Sequence, residues 1–216
     1  YVGLPLALEF SKKFNVLGFD KDIIRIDNLR KGIDKTLEVS ERLLKKQQKN
    51  NLFFTNRSKD ISNCNFYIAT VPTPIDMKNR PDFSALKKVC ETIGKLLLPG
   101  DTVVFESTVY PGVTEEICGP EIEKYSKLVS GKDFYLGYSP ERMNPGDKLH
   151  TVDKIIKVIS GDCRKTVLTL KRIYGKINSN KIGIVAAGHT SVIAKICLLY
   201  TSDAADEGLG VDLGGR

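Results

Sequence analysis

The sequence predicts an α/β protein built on a doubly wound, mostly parallel sheet. Three observations predict it. Short apolar runs that suit strands alternate with stretches of helical period along most of the chain. Polar and proline-containing segments come directly after three of those runs, beyond Val71, Phe105 and Tyr138, and open α/β sheets bind ligands outside the carboxyl ends of their strands. The chain also opens on a glycine at the start of a helical pattern, Gly3, with the later run Val16-Leu17-Gly18-Phe19 ending in Asp20.

That opening stretch organises the rest. In Tyr1-Val2-Gly3-Leu4-Pro5-Leu6-Ala7 and the residues after it, Leu4, Leu6, Ala7, Leu8 and Phe10 supply the apolar positions of the helix. The arrangement matches a dinucleotide fingerprint from its third glycine onward: a glycine turn, a helix, a second strand, and an acid about 20 residues on. Glycine lets the backbone approach a pyrophosphate, and the helix N-terminus faces it with free N–H groups and a positive dipole end. An acid at Asp20 accepts hydrogen bonds from the adenosine ribose hydroxyls, which favours NAD over NADP. The expected fold is therefore Rossmann-like. Its first strand and first two glycines are expected before Tyr1, and with no initiator Met the chain reads as a fragment. One glycine and one acid fit any helix–strand pair of an α/β protein equally well, so the later elements have to carry the argument.

Asp22 can cap a short helix through Ile23, Ile24 and Ile26 to about Arg30, with Gly32 stopping it. Arg25 lies one turn past Asp20, where it either covers the adenine or ribose or is a plain surface arginine. Residues 38–49 read as a charged helix with Leu43 and Leu44 on its apolar face, and residues 52–55 as a short strand. Residues 66–71 form a strand that runs into Pro72-Thr73-Pro74. The two prolines forbid helix and leave a rigid, open strand end, where Thr73 can place its hydroxyl on a cofactor or simply belong to a stiff turn. Pro81-Asp82 starts a helix with Phe83, Leu86, Val89, Ile93 and Leu97 at helical spacing. After a turn at Pro99-Gly100-Asp101 comes a strand at 102–105, which ends in Glu106-Ser107-Thr108. A helix is expected near Thr114, which suits a helix cap better than Ser107 or Thr108 does. A strand at 134–138 leads into Ser139-Pro140-Glu141-Arg142-Met143-Asn144-Pro145-Gly146. Here the glutamate can act as a base or orient water and the arginine can hold a phosphate or sugar; an exposed loop pair is the alternative. Strands at 155–159 and 182–185 flank a helix at 163–174, and Thr190 or Ser191 begins a long helix that contains Lys195.

Composition narrows the class. No apolar run approaches the roughly 20 residues a membrane helix needs. The formal net charge of +7 comes from scattered lysines such as Lys12-Lys13, Lys45-Lys46 and Lys87-Lys88 on the polar sides of helices. No aromatic residues interleave with them, so they point to a solvated surface and no nucleic-acid groove. The five cysteines are widely spaced with no CxxC, which suggests reduced, cytoplasmic thiols and no metal site. GxSxG, HExxH and P-loop motifs are absent, which disfavours hydrolases and NTPases.

Taken together, Tyr1-Val2-Gly3-Leu4-Pro5-Leu6-Ala7, Val71-Pro72-Thr73-Pro74, Glu106-Ser107-Thr108 and Ser139-Pro140-Glu141-Arg142 with Pro145-Gly146 resemble the UDP-glucose/GDP-mannose dehydrogenase family, in order and spacing, over residues 1–196. The resemblance is strongest to its UDP-N-acetylhexosamine branch, which serves capsule and O-antigen synthesis. The UDP-glucose branch usually carries a phenylalanine and a second glutamate after the equivalent of Glu141, where this chain has Arg142 and Pro145. The resemblance implies two successive NAD-dependent oxidations of a sugar C6 alcohol, through a thioester on a cysteine, by a cytoplasmic homodimer. It implies that Tyr1, Val2 and Asp20 meet the adenosine end of NAD, and that Thr73 and Thr108 contact it further along, Thr108 near the reacting carbon; Gly3 at the pyrophosphate and Arg25 over the adenine or ribose complete the candidate cofactor residues. It further implies that Glu141 handles the hydrolytic water, that Arg142 and Met143 line the sugar-nucleotide site, and that Lys195 stabilises the oxyanion.

Two departures stand out. The family's nucleophilic cysteine belongs to a later Gly-His-Cys motif, which none of the five cysteines matches, and the family's asparagine one turn after the lysine is Leu199 here. Residues 197–207 resemble the translation of a transposon-end sequencing adapter, so residues 197–216 are expected to be non-biological. The fragment itself is then expected to be inactive. Two alternatives are a non-catalytic NAD-binding module and a 6-phosphogluconate or β-hydroxyacid type of dehydrogenase. The latter does not account for the Glu-Ser-Thr and Ser-Pro-Glu-Arg segments together.

Overall fold

Parallel strands need crossovers, and the chain supplies helices for them. The computed structural model describes residues 2–75, 77–78, 80–140, 153–179 and 183–186. Helix α1 (Gly3–Ser11) leads to strand β1 (Val16–Phe19), then α2 (Ile23–Arg30), α3 (Glu41–Gln48) and β2 (Leu52–Thr55). A short 3-10 turn (Ser58–Asn63) precedes β3 (Phe66–Ala69), α4 (Ser84–Gly94) and β4 (Thr102–Phe105). A π-helical segment (Val113–Cys118) runs into α5 (Gly119–Ser126), and then come β5 (Tyr135–Tyr138), β6 (Lys157–Gly161), α6 (Arg164–Gly175) and β7 (Ile184–Ala186).

The strands form a parallel pair, β1-β2, and a five-stranded sheet in the order β3-β4-β5-β6-β7. All pairings are parallel except β5 with β6. A six-stranded doubly wound sheet has the order 3-2-1-4-5-6. Strands β2 and β1 correspond to 3 and 2 of that order, and β3, β4 and β5 to 4, 5 and 6. Both faces are covered. Val103 and Phe105 pack with α4 and α5 residues such as Cys90, Ile93 and Ile122. Val104, pointing the other way by the strand's period of two, packs with Leu6 and Phe10 of α1 and Leu170 and Tyr174 of α6. A third cluster joins α1, α2 and α3 to β2 through Leu4, Ile26, Leu44 and Leu52. The lysines predicted to be solvated lie on helix surfaces, where Lys12 reaches Glu9 at 2.6 Å, Lys45 reaches Glu41 at 2.5 Å and Lys88 reaches Glu91 at 2.8 Å.

Asp22 caps α2 as expected, its carboxylate accepting from the Arg25 amide. Several elements differ from the sequence reading, α4 among them, which starts at Ser84, after Pro81-Asp82, and ends at Gly94, before Leu97. Helix α3 starts at Glu41, not at residue 38, because Asp34 captures the backbone before it. Asp34 Oδ1 accepts from the amide and hydroxyl of Thr36 at 3.1 and 2.7 Å, and Oδ2 accepts from the amides of Glu38 and Val39 at 3.0 and 3.1 Å. Strand β3 stops at Ala69, two residues short of the expected end. Thr114 is not a cap. Gly112, with φ of 97°, precedes the π-helical segment, and Thr114 is buried inside it. The wide turn ends at Gly119-Pro120, where proline has no N–H to give back to the preceding turn. Strand β6 lies two residues later than expected, at Lys157–Gly161. The expected helix containing Lys195 and the tail 197–216 lie outside the described residues.

Asp34 makes a testable contribution. Burial raises its carboxyl, but the Thr36 and Val39 hydrogen bonds and the Arg25 charge outweigh that, so it titrates below its ordinary value. A depressed carboxylate stabilises the fold above the unfolded pKa and loses that contribution as pH falls through the folded one. Asp34→Ala is expected to cost about 2 kcal/mol at neutral pH, and the gap from the parent to close in acid below about pH 4. Chemical denaturation across pH 2–7 checks it.

Candidate functional site

Strands β3, β4 and β5 run parallel and in register, with Ala69 opposite Phe105 and Phe105 opposite Tyr138. Their carboxyl ends therefore stop level, and three polar segments leave from one edge of the sheet. Two of those segments are fastened together rung by rung. The Glu106 amide donates to the Ala69 carbonyl at 2.9 Å. The Ser107 hydroxyl donates to the Val71 carbonyl, and the Thr73 hydroxyl to the Thr108 carbonyl, both at 2.5 Å. The prolines flanking Thr73 donate no backbone hydrogen bond, so side-chain hydroxyls close the connection that strand pairing no longer makes. The third segment joins from β5, where the Ser139 amide donates to Phe105 at 3.0 Å and its hydroxyl to Val158 at 2.9 Å.

Helix α1 brings its N-terminus to the same edge. A Cβ added to Gly3 would sit 2.7 Å from the Thr70 hydroxyl just past β3, so any side chain here would force that hydroxyl to move. Among the described residues no side chain caps α1 and no acid occupies its first turn, and a helix N-terminus favours an anion. At the end of β1, Asp20 Oδ1 accepts from the Asp22 amide at 3.0 Å, while Oδ2 lies 3.9 Å from Arg25 Nε. Arg25 also lies 4.0 Å from the fully buried Asp34 carboxylate. The carboxyl ends of the strands thus carry a half-exposed acid with an arginine beside it, the N-terminus of α1 and two joined threonines. A cleft of about 450 Å³ along β2, lined by Arg30, Lys45 and Phe53, contains none of these groups.

The structure thus joins Thr73 to Thr108, sets Gly3 against the end of β3, and places Arg25 beside Asp20. Val2 immediately precedes α1. Tyr1, Glu141, Arg142, Met143 and Lys195 lie outside the described residues. Sequence reasoning missed the role of Glu106. This residue is buried, and its carboxylate accepts from Lys157 Nζ at 2.6 Å and from the Tyr174 hydroxyl. The signal was a lysine inside the apolar run Ile155-Ile156-Lys157-Val158-Ile159, since a lysine buried in a strand needs a partner.

Residues 1–178 match the NAD-binding domain of the UDP-glucose/GDP-mannose dehydrogenase family. The chain belongs to this family. It is 52% identical over 177 residues to a UDP-N-acetyl-D-glucosamine 6-dehydrogenase from Pseudomonas aeruginosa, covering 82% of the chain and 42% of that protein. It is 49% identical over 177 residues to the protein CapL from Staphylococcus aureus, covering 82% of the chain and 41% of that protein. The chain therefore spans about two fifths of the length of these relatives. Among solved structures, a UDP-D-ManNAc dehydrogenase from Pyrococcus horikoshii superposes with a TM-score of 0.87 at 27% identity, over 94% of the chain and 48% of that protein. NAD is the cofactor of this domain.

The threonine rung is separable from the rest. Thr73→Val keeps the shape and removes the donor to the Thr108 carbonyl. The expected loss is about 1 kcal/mol in stability, with the amides of Val103 and Val104 keeping their protection from exchange. Denaturation and residue-resolved hydrogen exchange check both parts.

Proposed function

We propose that the protein carrying this domain oxidises the C6 alcohol of a UDP-N-acetylhexosamine to the uronate, with two NAD consumed per sugar, for surface polysaccharide precursors. The observation that supports it most directly is the joined Thr73–Thr108 pair at the sheet's carboxyl edge, where Thr70 meets Gly3 of α1. NAD accepts one hydride in each oxidation, which is why four electrons require two equivalents. The residues of the domain do the holding. The amides of α1 after Val2 and Gly3 face the pyrophosphate, and Tyr1 lies at the adenosine end. Asp20 accepts from the ribose hydroxyls with Arg25 alongside. Thr73 fixes Thr108, whose exposed side chain meets the cofactor toward the reacting carbon.

The remaining roles rest on the family resemblance. Glu141 positions or deprotonates the hydrolytic water, Arg142 and Met143 line the sugar-nucleotide site, and Lys195 meets the developing oxyanion. None of the five cysteines lies in the Gly-His-Cys motif that carries the family's nucleophile, so no nucleophile is assigned among these residues. The N-acetylated substrate is supported by Arg142 and Pro145 and by the names of the relatives. The four described cysteines are free thiols, which supports a cytoplasmic setting. The full-length protein is read as a homodimer, which sedimentation measures directly. Family membership disfavours the 6-phosphogluconate type of dehydrogenase.

The decisive experiment supplies the full-length gene product with NAD and UDP-N-acetylglucosamine, UDP-N-acetylgalactosamine, UDP-N-acetylmannosamine or UDP-glucose. Two NADH per N-acetylated sugar, with little from UDP-glucose, is the expected result. One NADH per sugar would mean a simple alcohol dehydrogenase, and none from any sugar would leave a non-catalytic NAD-binding module. Residues 1–216 alone are expected to give no turnover. Asp20→Asn is expected to weaken NAD binding about tenfold, or ~1.4 kcal/mol, and to narrow the preference for NAD over NADP in a fluorescence titration.

A further inference from the structure

A charged cluster lies beneath the site, in the apolar layer between the sheet and helices α1 and α6. Glu106 comes directly after β4, Lys157 opens β6, and β5 runs between those two strands. The Lys157 ammonium donates to Glu106 Oε2 at 2.6 Å, with side-chain exposures of 3% and 0%. Tyr174 of α6 donates to the other carboxylate oxygen. The ring of Tyr174 lies edge-on to Phe10 of α1, centroid to centroid 5.3 Å, and the Lys157 ammonium stands 5.5 Å from the Tyr174 ring centroid. The surroundings are Leu6, Val104, Ile159 and Leu170.

Burying two charges here is poorly explained by stability alone. A hydrophobic pair of similar volume fills such a place with equal or better stability, because the ions lose their hydration. An ion pair adds direction and a fixed length. These act on the two loops that the site uses. Glu106 is the residue before Ser107 and Thr108, and its own amide is held by Ala69. Lys157 is the residue before Val158, whose carbonyl holds the Ser139 hydroxyl. The bond from Lys157 to Glu106 thus spans β5 and ties the Thr108 segment to the Ser139-Pro140 segment, while Tyr174 ties both to the helix that faces the pyrophosphate.

We infer that Glu106 and Lys157 are positioning residues, whose buried ion pair fixes the Ser107-Thr108 segment against Ser139 and so sets the hydride-transfer geometry. The inference rests on the proposed dehydrogenase activity. It assigns no contact with substrate or cofactor to either residue. Misplacement of reacting groups by a fraction of an ångström lowers the rate of the chemical step more than it lowers binding.

The test uses the full-length protein with Glu106→Gln combined with Lys157→Met, which removes both charges of the pair. The melting temperature is expected to stay within about 5 °C of the parent. The kcat should fall about tenfold or more, with KM for NAD changed less than about twofold. The kinetic isotope effect on kcat with C6-deuterated sugar should rise, since hydride transfer becomes more nearly rate-limiting. In the same variant, hydrogen exchange at the amides of Ser107 to Val109 and of Ser139 should speed up about tenfold while Val103 and Val104 stay protected. Tyr174→Phe keeps the ring on Phe10 and removes only the donor. It provides a milder variant that folds, with a smaller change in the same direction.

A double variant that keeps both the parent kcat and the parent exchange rates in these loops would overturn the inference and make the pair structural only. A parent protein that forms no NADH from any UDP-sugar refutes the dehydrogenase reading instead. The exchange rates at Ser107, Thr108 and Ser139 still decide whether the pair fixes the loops.

Discussion

The level ending of β3, β4 and β5 is the constraint on which the site depends. Their register leaves no stagger, so Ala69, Phe105 and Tyr138 lie side by side as the last residues of their strands. In a parallel sheet buried on both faces, the register is held by which residue points to which layer. A slip of one residue in β4 would send Val103 and Phe105 toward α1 and α6, and Val104 toward α4 and α5. Those faces are filled by different helices of different bulk, so the packing enforces the register. The register then delivers three loops to one edge at one height. Neither the threonine rung nor the Ser139 contacts can form from strands that end at unequal heights.

The edge built this way is polar where the chain cannot pair. The two prolines around Thr73 keep β3 from continuing and remove two donors, so carbonyls at Val71 and Thr108 must find partners elsewhere. Ser107 and Thr73 supply them from opposite sides. Each hydroxyl donates to a carbonyl of the other loop, which makes one rigid platform from two loops. The Thr73 oxygen keeps the capacity to accept, and under the proposed function rigidity is what a hydride donor and acceptor need from their surroundings.

Much of the fold could be read in the sequence because the strands are short, apolar and bounded by turn residues. The runs at 16–19, 52–55 and 102–105 appear as strands at those same boundaries. Asp22 was legible as a cap because an acid before an apolar helical run has few other uses. Asp34 was not. Its four hydrogen bonds reach residues two to five positions on, through a backbone course that local patterning does not encode, and they cut short the helix expected from residue 38. Thr114 misled for the opposite reason. A threonine near a helix start suggests a cap, but Gly112 and Pro120 impose a wide-turned segment in which that threonine is interior. Of the proposed site, Gly3, Asp20, Thr73 and Thr108 are legible as motif residues. The partnership of Glu106, Lys157 and Tyr174 was not, because it joins three elements separated by 51 and 68 residues.

That long-range partnership also bears on how the domain divides its work. Under the proposed function, the groups at the pyrophosphate and adenosine end, Gly3, Asp20 and Arg25, fall within one helix–strand–helix stretch from α1 to α2. The proposed reacting end draws on β3, β4, β5, β6 and α6. Local contacts reform readily after a perturbation, whereas contacts between distant elements require the whole sheet to be assembled. Loss of packing in the five-stranded sheet should therefore disturb the reacting end before the adenosine end. The buried ion pair is placed where that sensitivity is greatest, at the crossing between the two loops that must agree.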